Sequence, residues 1–290
     1  MSYRDRFRVQ PGKFRLSDVD PNFTDGRDDK AAAQAEIDLD NRKLHQLQYL
    51  LYAERKHSLL VCLQGLDAAG KDGTISHVFG ALNPQGARVA AFKTPTPEEA
   101  AHDFLWRVHR QTPAKGEVAI FNRSHYEDVL VDRVHRLVAE EVWTKRYALI
   151  NDFERNLAMA GTTVLKFLLH ISPEEQLRRF KDRLDDPDRR WKISDADYTE
   201  RALFPQYLTA YQDALDATST DDAPWYVIPA NHKWFRNLAV SRIVAETLES
   251  LGMSFPAPTV DLDAIRKKYH AASLASIQAK ATPSPTPSSS

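Results

Sequence analysis

The residues best suited to chemistry are Gly65-Leu66-Asp67-Ala68-Ala69-Gly70-Lys71-Asp72-Gly73-Thr74, between an apolar run and a helix-like segment. Two glycines separated by four residues and followed by a lysine form the P-loop pattern. In such a loop backbone N–H groups and a helix N-terminus face a polyanion, and the lysine adds a point charge. Gly65, Ala68, Ala69, Gly70, Lys71, Asp72, Gly73 and Thr74 are therefore the expected phosphate cradle. One position departs from the pattern. The Ser or Thr that should follow the lysine and hold Mg²⁺ is Asp72, and a second acid, Asp67, sits inside the loop.

A second group lies where another apolar run gives way to Asn122-Arg123-Ser124-His125-Tyr126-Glu127-Asp128. This is the usual place of an acid that binds metal through water or orients a nucleophile in P-loop enzymes, but here it holds Asn122. Arg123 can clamp a phosphate bidentately and neutralise charge that builds during transfer. Asn122 and Ser124 could instead cap the next helix, with Glu127 completing a capping box. A third group is the run Arg178, Arg179, Lys181, Arg183, Arg189, Arg190 and Lys192, interleaved with aspartates. Such a run is commonly a solvated face. In kinases of this plan, however, a mobile arginine-rich lid occupies this place in the chain and excludes water from the transferred phosphate. Arg183 is the first choice for an arginine that enters the site. Lys93 and Thr94 stand at a further strand end, and His125 suits either a phosphate contact or a buried hydrogen bond. Surface ion pairing is the expectation for Arg107 and His109, while Trp191 suits packing under the lid or covering a base.

The elements that must position these groups can be read from periodicity. Residues 31–56 carry Ile37, Leu44, Leu47 and Leu51 at helical spacing. Strands are predicted at 58–64, 87–92, 117–121, 163–171 and 225–229. Helices are predicted at 72–82, 97–110, 195–217 and 232–251, with a further one begun by Pro173 behind Ser172 as N-cap. About forty helix-like residues separate the third and fourth strands. Asp185-Asp186-Pro187-Asp188 places a turn in the middle of the basic run. Strands alternating with helices imply an α/β, three-layer arrangement with a parallel five-stranded sheet, ligands sitting at the C-terminal strand ends. Residues 1–30 read as an N-terminal arm with little regular structure, 31–272 as the domain with its lid at about 178–200, and 273–290 as a disordered tail or a cloning remnant.

Composition narrows the partners. The chain has 290 residues, with 39 basic against 40 acidic side chains, so no global field attracts nucleic acid or a membrane. A polyanion must be held by a local cluster. Cys62 is the sole cysteine, which excludes an intramolecular disulfide and suits a reducing cytoplasm. No stretch approaches the roughly 18 to 20 apolar residues of a membrane span, and the N-terminus has no apolar signal core.

Four blocks in order, GLDAAGKDG, FKTPTPEEAAHDFLWRVH (92–109), FNRSHYEDVLVDRVH (121–135) and RFKDRLDDPDRRWKIS (179–194), resemble the polyphosphate kinase 2 family. The resemblance covers roughly 30–270. It implies a P-loop kinase fold related to thymidylate kinase, an arginine-rich helical lid and Mg²⁺, for which Mn²⁺ can substitute. It also implies a homo-oligomer, tetramer or dimer, that transfers phosphoryl groups reversibly between inorganic polyphosphate and AMP, ADP or ATP. Carried onto this sequence, it implies that Asp67 helps hold Mg²⁺ and the acceptor phosphate and that Lys71 contacts the phosphate in transit, with Arg123 and Arg183 stabilising charge. Asp72 is the second expected metal ligand. Lys93, Arg178 and Lys192 join the phosphate contacts, and Asn122 and Glu127 join Asp67 and Arg123 on the nucleotide. Asn122 with the HYEDVL continuation resembles the subgroup accepting both AMP and ADP. An ATP-dependent kinase shares cradle, lid and fold, and is distinguished by dependence on ATP. A nucleotide switch fits less well: the late strand reads VIPANHKW instead of a guanine-reading Asn/Thr-Lys-x-Asp segment.

Overall fold

A computed structural model describes residues 1–281, in which Met1–Ser254 form one compact unit and the residues from Phe255 onward another. The short helix α1 (Tyr3–Phe7) opens the first unit, and α2 (Lys30–Glu54) follows. Asp29 caps α2 by accepting from the N–H groups of Ala31 and Ala32. Its heptad-spaced Ile37, Leu44 and Leu51 are buried, as the periodicity requires. The expected arm is not separate from this unit. Tyr3, Phe7, Val9 and Leu16 are buried, and the Val9 N–H donates to the Trp225 carbonyl.

Strands β1 (Ser58–Gln64), β2 (Ala87–Ala91), β3 (Val118–Asn122), β4 (Thr162–His170) and β5 (Trp225–Pro229) form one parallel sheet in the order β2-β3-β1-β4-β5. β1 is central, and all seven of its residues are buried, which explains its uninterrupted apolar run. Between the strands lie α3 (Lys71–His77), α4 (Pro97–Ala100), α5 (Trp106–His109), α6 (Glu127–Val134) and α7 (Glu140–Met159). They continue as α8 (Pro173–Asp185), α9 (Asp195–Ala202), α10 (Phe204–Thr218) and α11 (Lys233–Ser250). In-register pairing of Leu63 with Asn122 sets the end of β1 beside the end of β3, so the cradle and Arg123 emerge at one edge.

Three predicted helices are broken. The cradle helix ends at His77 and gives way to a 3-10 turn at Phe79–Ala81, ahead of Asn83-Pro84. The 97–110 segment forms two short helices, because the Asp103 carboxylate accepts from the Leu105 N–H and competes with the helical ladder. The helix expected over 195–217 breaks at Leu203, one residue before the α10 start at Phe204-Pro205. In the second unit, α12 (Leu262–Ala281) is helical across residues expected to lie in a disordered tail. Residues 282–290 of that tail lie outside the described residues.

Candidate active site

The cradle is built by backbone geometry. Gly70 adopts φ +108° as it caps α3, and Gly65 lies so close to β4 that a Cβ there would be 2.9 Å from the Leu169 carbonyl oxygen. Two non-glycine residues beside them are also left-handed, Ala68 (φ 64°) and Arg123 (φ 62°). Such conformations persist only where surroundings over-determine them, and they cluster at ligand clamps. Here Arg179, on the buried face of α8, donates from Nη1 to the Ala68 and Ala69 carbonyls (2.8 and 3.0 Å), while Gln176 Nε2 donates to that of Asp67 (3.0 Å). The Leu63 carbonyl accepts from the Arg123 N–H at 3.0 Å.

Lys71 is nearly buried, and its ammonium donates to the loop's own carbonyls, 2.6 Å to Gly65 and 3.3 Å to Leu66. Burial, reinforced by the Arg123 charge, lowers its pKa despite the pull of Asp67. Arg123 forks between Asp67 and Glu127, at 3.1 Å to each. Burial opposes its charge, but Glu127 and Asp67 outweigh that and hold the guanidinium more firmly protonated than usual. Asp72 accepts from Asn122 Nδ2 (2.9 Å) and from Lys192 Nζ (3.2 Å). Burial would raise its pKa, yet these two hydrogen bonds prevail and lower it.

All of these side chains except Glu127 line a cavity of about 650 Å³. The cradle brings Lys71, Asp67 and Asp72 to it, and the strand ends bring Lys93, Asn122 and Arg123. From the lid region come Arg183, Arg189 and Lys192; from α11, Lys233 and Arg236. Cations outnumber carboxylates on its wall, which concentrates positive potential in a chain with formal charge −1. A second cavity, about 260 Å³, shares Asp67 and Arg123 with the first. Its other walls differ in character: Leu130 and Val131 are apolar, Tyr207 and Tyr211 aromatic, and Glu127 and Glu200 acidic. On its rim His135, Glu200 and Tyr207 join α6, the lid helix α9 and α10 through a 2.9 Å His135–Glu200 contact and a 2.8 Å hydrogen bond from the Tyr207 hydroxyl to Glu200. The Asp67–Arg123 pair is thus the wall between a basic space and an aromatic, acidic one.

The family model described as Polyphosphate kinase 2 (PPK2) matches residues 27–255. The chain belongs to that family. An AMP/ADP-polyphosphate phosphotransferase from Meiothermus ruber is 55% identical over 255 residues, spanning 87% of this chain and 96% of its own. An ADP-polyphosphate phosphotransferase from Rhodopseudomonas palustris is 46% identical over 229 residues, 75% of this chain and 79% of its own. The crystal structure of polyphosphate kinase 2 from Arthrobacter aurescens superposes with a TM-score of 0.90 at 44% identity, covering 93% of this chain and 96% of that one.

Most of the expected site residues meet in this family's fold, but several take other positions. Thr74 is fully buried, its hydroxyl donates to the Gly70 carbonyl, and it does not line the basic cavity. Arg178 faces outward to Glu175 and Asp182. Asn122 faces Asp72 and lines the basic cavity, whereas Glu127 lines the second. Gly65 and Ala69 offer carbonyls to Lys71 and Arg179, and Ala69 is buried. Arg183 lines the cavity while donating to the Lys192 carbonyl and facing Asp197. The Ser124–Glu127 capping box does not form, since Ser124 Oγ accepts from Gln64 Nε2 and from the Tyr126 N–H, and Glu127 turns to Arg123.

Arg107, expected at the surface, is buried. It pairs with Asp128 (3.6 Å) and holds the Lys93 carbonyl at 2.7 Å, thereby fixing the loop that carries Lys93. His125 is buried against Glu154. Lys233, Arg236 and the clamping role of Arg179 were missed. The signal for the first two was available, because they follow β5 at the sheet edge where ligands bind in open parallel sheets.

Proposed function

We propose that the protein transfers the terminal phosphoryl group of inorganic polyphosphate to AMP and to ADP, reversibly and with Mg²⁺. The observation that carries this reading is the pair of unlike cavities meeting at Asp67 and Arg123. The basic space suits a polyanion. The second space has the aromatic and carboxylate groups that suit a nucleoside, whose ribose hydroxyls can donate to Glu127 or Glu200. The names of the two curated relatives support both substrates.

In this reading a terminal nucleotide phosphate oxygen attacks the end phosphorus of the polymer. The bond from that phosphorus to its bridging oxygen breaks, leaving a polymer one unit shorter. The attacking oxygen is already ionised near neutral pH, so no protein nucleophile or general base is needed. Lys71 exchanges its carbonyl partners for the transferring phosphoryl oxygens, and Arg123 and Arg183 balance charge that spreads during transfer. Asp67 and Asp72 are hard oxygen donors beside the cradle and fit Mg²⁺, although each is engaged by a cation and, among the described residues, no group of three or more His, Cys, Asp or Glu side chains is poised for a metal. Bound there, Mg²⁺ would neutralise phosphate charge. Among the described residues no helix is long and apolar enough to cross a membrane.

The test is product analysis after incubation with Mg²⁺, polyphosphate and either AMP or ADP. ADP and ATP are the expected products, and Lys71→Ala and Asp67→Asn, both folded, are expected to abolish them. Formation of ATP from ADP alone would refute the dual acceptor. Failure with both nucleotides, or near-normal turnover in either variant, would refute the mechanism.

A further inference from the structure

Arg236, in the first turn of α11, is 2% exposed. Its guanidinium reaches only neutral oxygens: Nε and Nη2 donate to Asn237 Oδ1 (3.1 and 2.8 Å), and Nη1 to the Ala69 carbonyl (3.4 Å). It is pressed against the start of α3. A Cβ on Gly70 would lie 1.8 Å from Nη1, and one on Gly73 3.1 Å from Nη2. The absence of Cβ atoms at these two positions lets the guanidinium sit there. Burial pushes its pKa down to about 9, and Arg179 adds to that effect. Arg179 has Glu175 at 2.7 Å, whereas Arg236 has no carboxylate partner among the described residues. A buried charge is ordinarily paired, so an unpaired one beside a phosphate cradle marks an incomplete electrostatic arrangement.

We propose that the donor polyphosphate is the counterion Arg236 lacks: Arg236 is a positioning residue that shapes the Gly70–Gly73 backbone and couples filling of the basic cavity to the stability of the fold. This rests on reading the cavity as the donor site. The free protein then carries a destabilising charge behind its cradle, and donor binding relieves it. Nucleotide bound in the second cavity lies across the Asp67–Arg123 wall and relieves it much less. Donor binding is therefore expected to tighten α11 against α3.

Thermal unfolding of the full chain, free, with linear polyphosphate, and with ADP alone, tests this. For the wild type, polyphosphate raises Tm by several times the ADP shift. Arg236→Met is expected to match or exceed the wild-type Tm when free, to lose at least half of the polyphosphate shift, and to raise KM for polyphosphate about tenfold or more with KM for ADP nearly unchanged. Arg236→Lys restores part of the shift. Asn237→Asp, which would place a carboxylate beside the guanidinium, is expected to raise the free Tm and shrink the polyphosphate shift, and it serves if Arg236→Met does not fold. A full polyphosphate shift in Arg236→Met or Asn237→Asp overturns the inference while leaving the donor site standing. No polyphosphate shift in the wild type overturns both.

Discussion

Beneath the strand end that carries Arg123 lies a fully buried ion pair, and its disruption gives the sharpest test of how the site is held. Lys166 on β4 and Glu154 on α7 are each 0% exposed, with Nζ 2.6 Å from Oε2. Lys166 also donates to the Tyr126 hydroxyl (2.9 Å) and the Thr218 carbonyl (2.6 Å). Glu154 Oε1 accepts from Tyr126 (3.0 Å) and lies 3.1 Å from His125 Nε2. Burial opposes the carboxylate, but Lys166 and His125 hold Glu154 ionised; burial also weakens the Lys166 hold on its proton. Removing one partner leaves an uncompensated buried charge. Glu154→Gln or Lys166→Met should each cost about 3–5 kcal/mol, whereas replacing both should be nearly neutral. For a chain of this length that is roughly 6–10 °C in Tm for each single variant, at about two degrees per kcal/mol. Turnover should follow the same order, because His125 and Tyr126 lie two and three residues beyond Arg123 and anchor its loop. The assay is a thermal double-mutant cycle on the two variants and Lys166→Met/Glu154→Gln, with kcat measured on each. Single variants within about 1 kcal/mol of wild type, or a double variant that loses the sum of both, would refute the reasoning.

Gly70→Ala places a Cβ on Arg236 Nη1 at a φ that L-residues rarely adopt. It is expected to lower stability by about 1–3 kcal/mol and kcat roughly a hundredfold through a displaced cradle, and a variant with wild-type kcat would contradict the close packing described. Asp128 is buried, which pushes its pKa up to about 6 against the pull of Arg107. Its unfolded value is about 3.9, so between about pH 4 and 6 the folded chain holds a proton the unfolded chain has released. Stability from this group therefore falls as pH rises through that window, by about 2–3 kcal/mol in all. In Asp128→Asn this slope should vanish, and parallel unfolding profiles for variant and wild type would count against it. Lys192→Ala removes a half-exposed bridge to Asp72, so stability should change by less than about 1 kcal/mol while KM for polyphosphate rises; a large stability loss with unchanged KM would show the lid contact to be structural.

How far the site could be read from the chain depended on whether local pattern or tertiary burial decides a residue's role. The cradle, the strand ends and the helical lid carry local signatures, since glycine spacing, apolar runs and the Ser172-Pro173 helix start are short-range facts; all five strands and the convergence of Asp67, Lys71, Arg123 and Arg183 follow from them. The misassigned roles are of another kind. Arg178 and Arg179 are adjacent and chemically identical, and helical phase alone sends one to solvent and the other under the loop, where it holds the Ala68 and Ala69 carbonyls. Arg107 looks like a surface cation in sequence because nothing local announces Asp128, the acid that receives it. Asn122 shows the same limit. Its position at the end of β3 was legible, but its direction toward Asp72 is fixed by register between β3 and β1. That direction has a chemical consequence: a neutral amide beside Asp72 donates a hydrogen bond, where a second carboxylate would repel it. Asn122 thereby helps to hold Asp72 ionised, so the residue that replaces the expected acid supports the acid that replaces the expected hydroxyl.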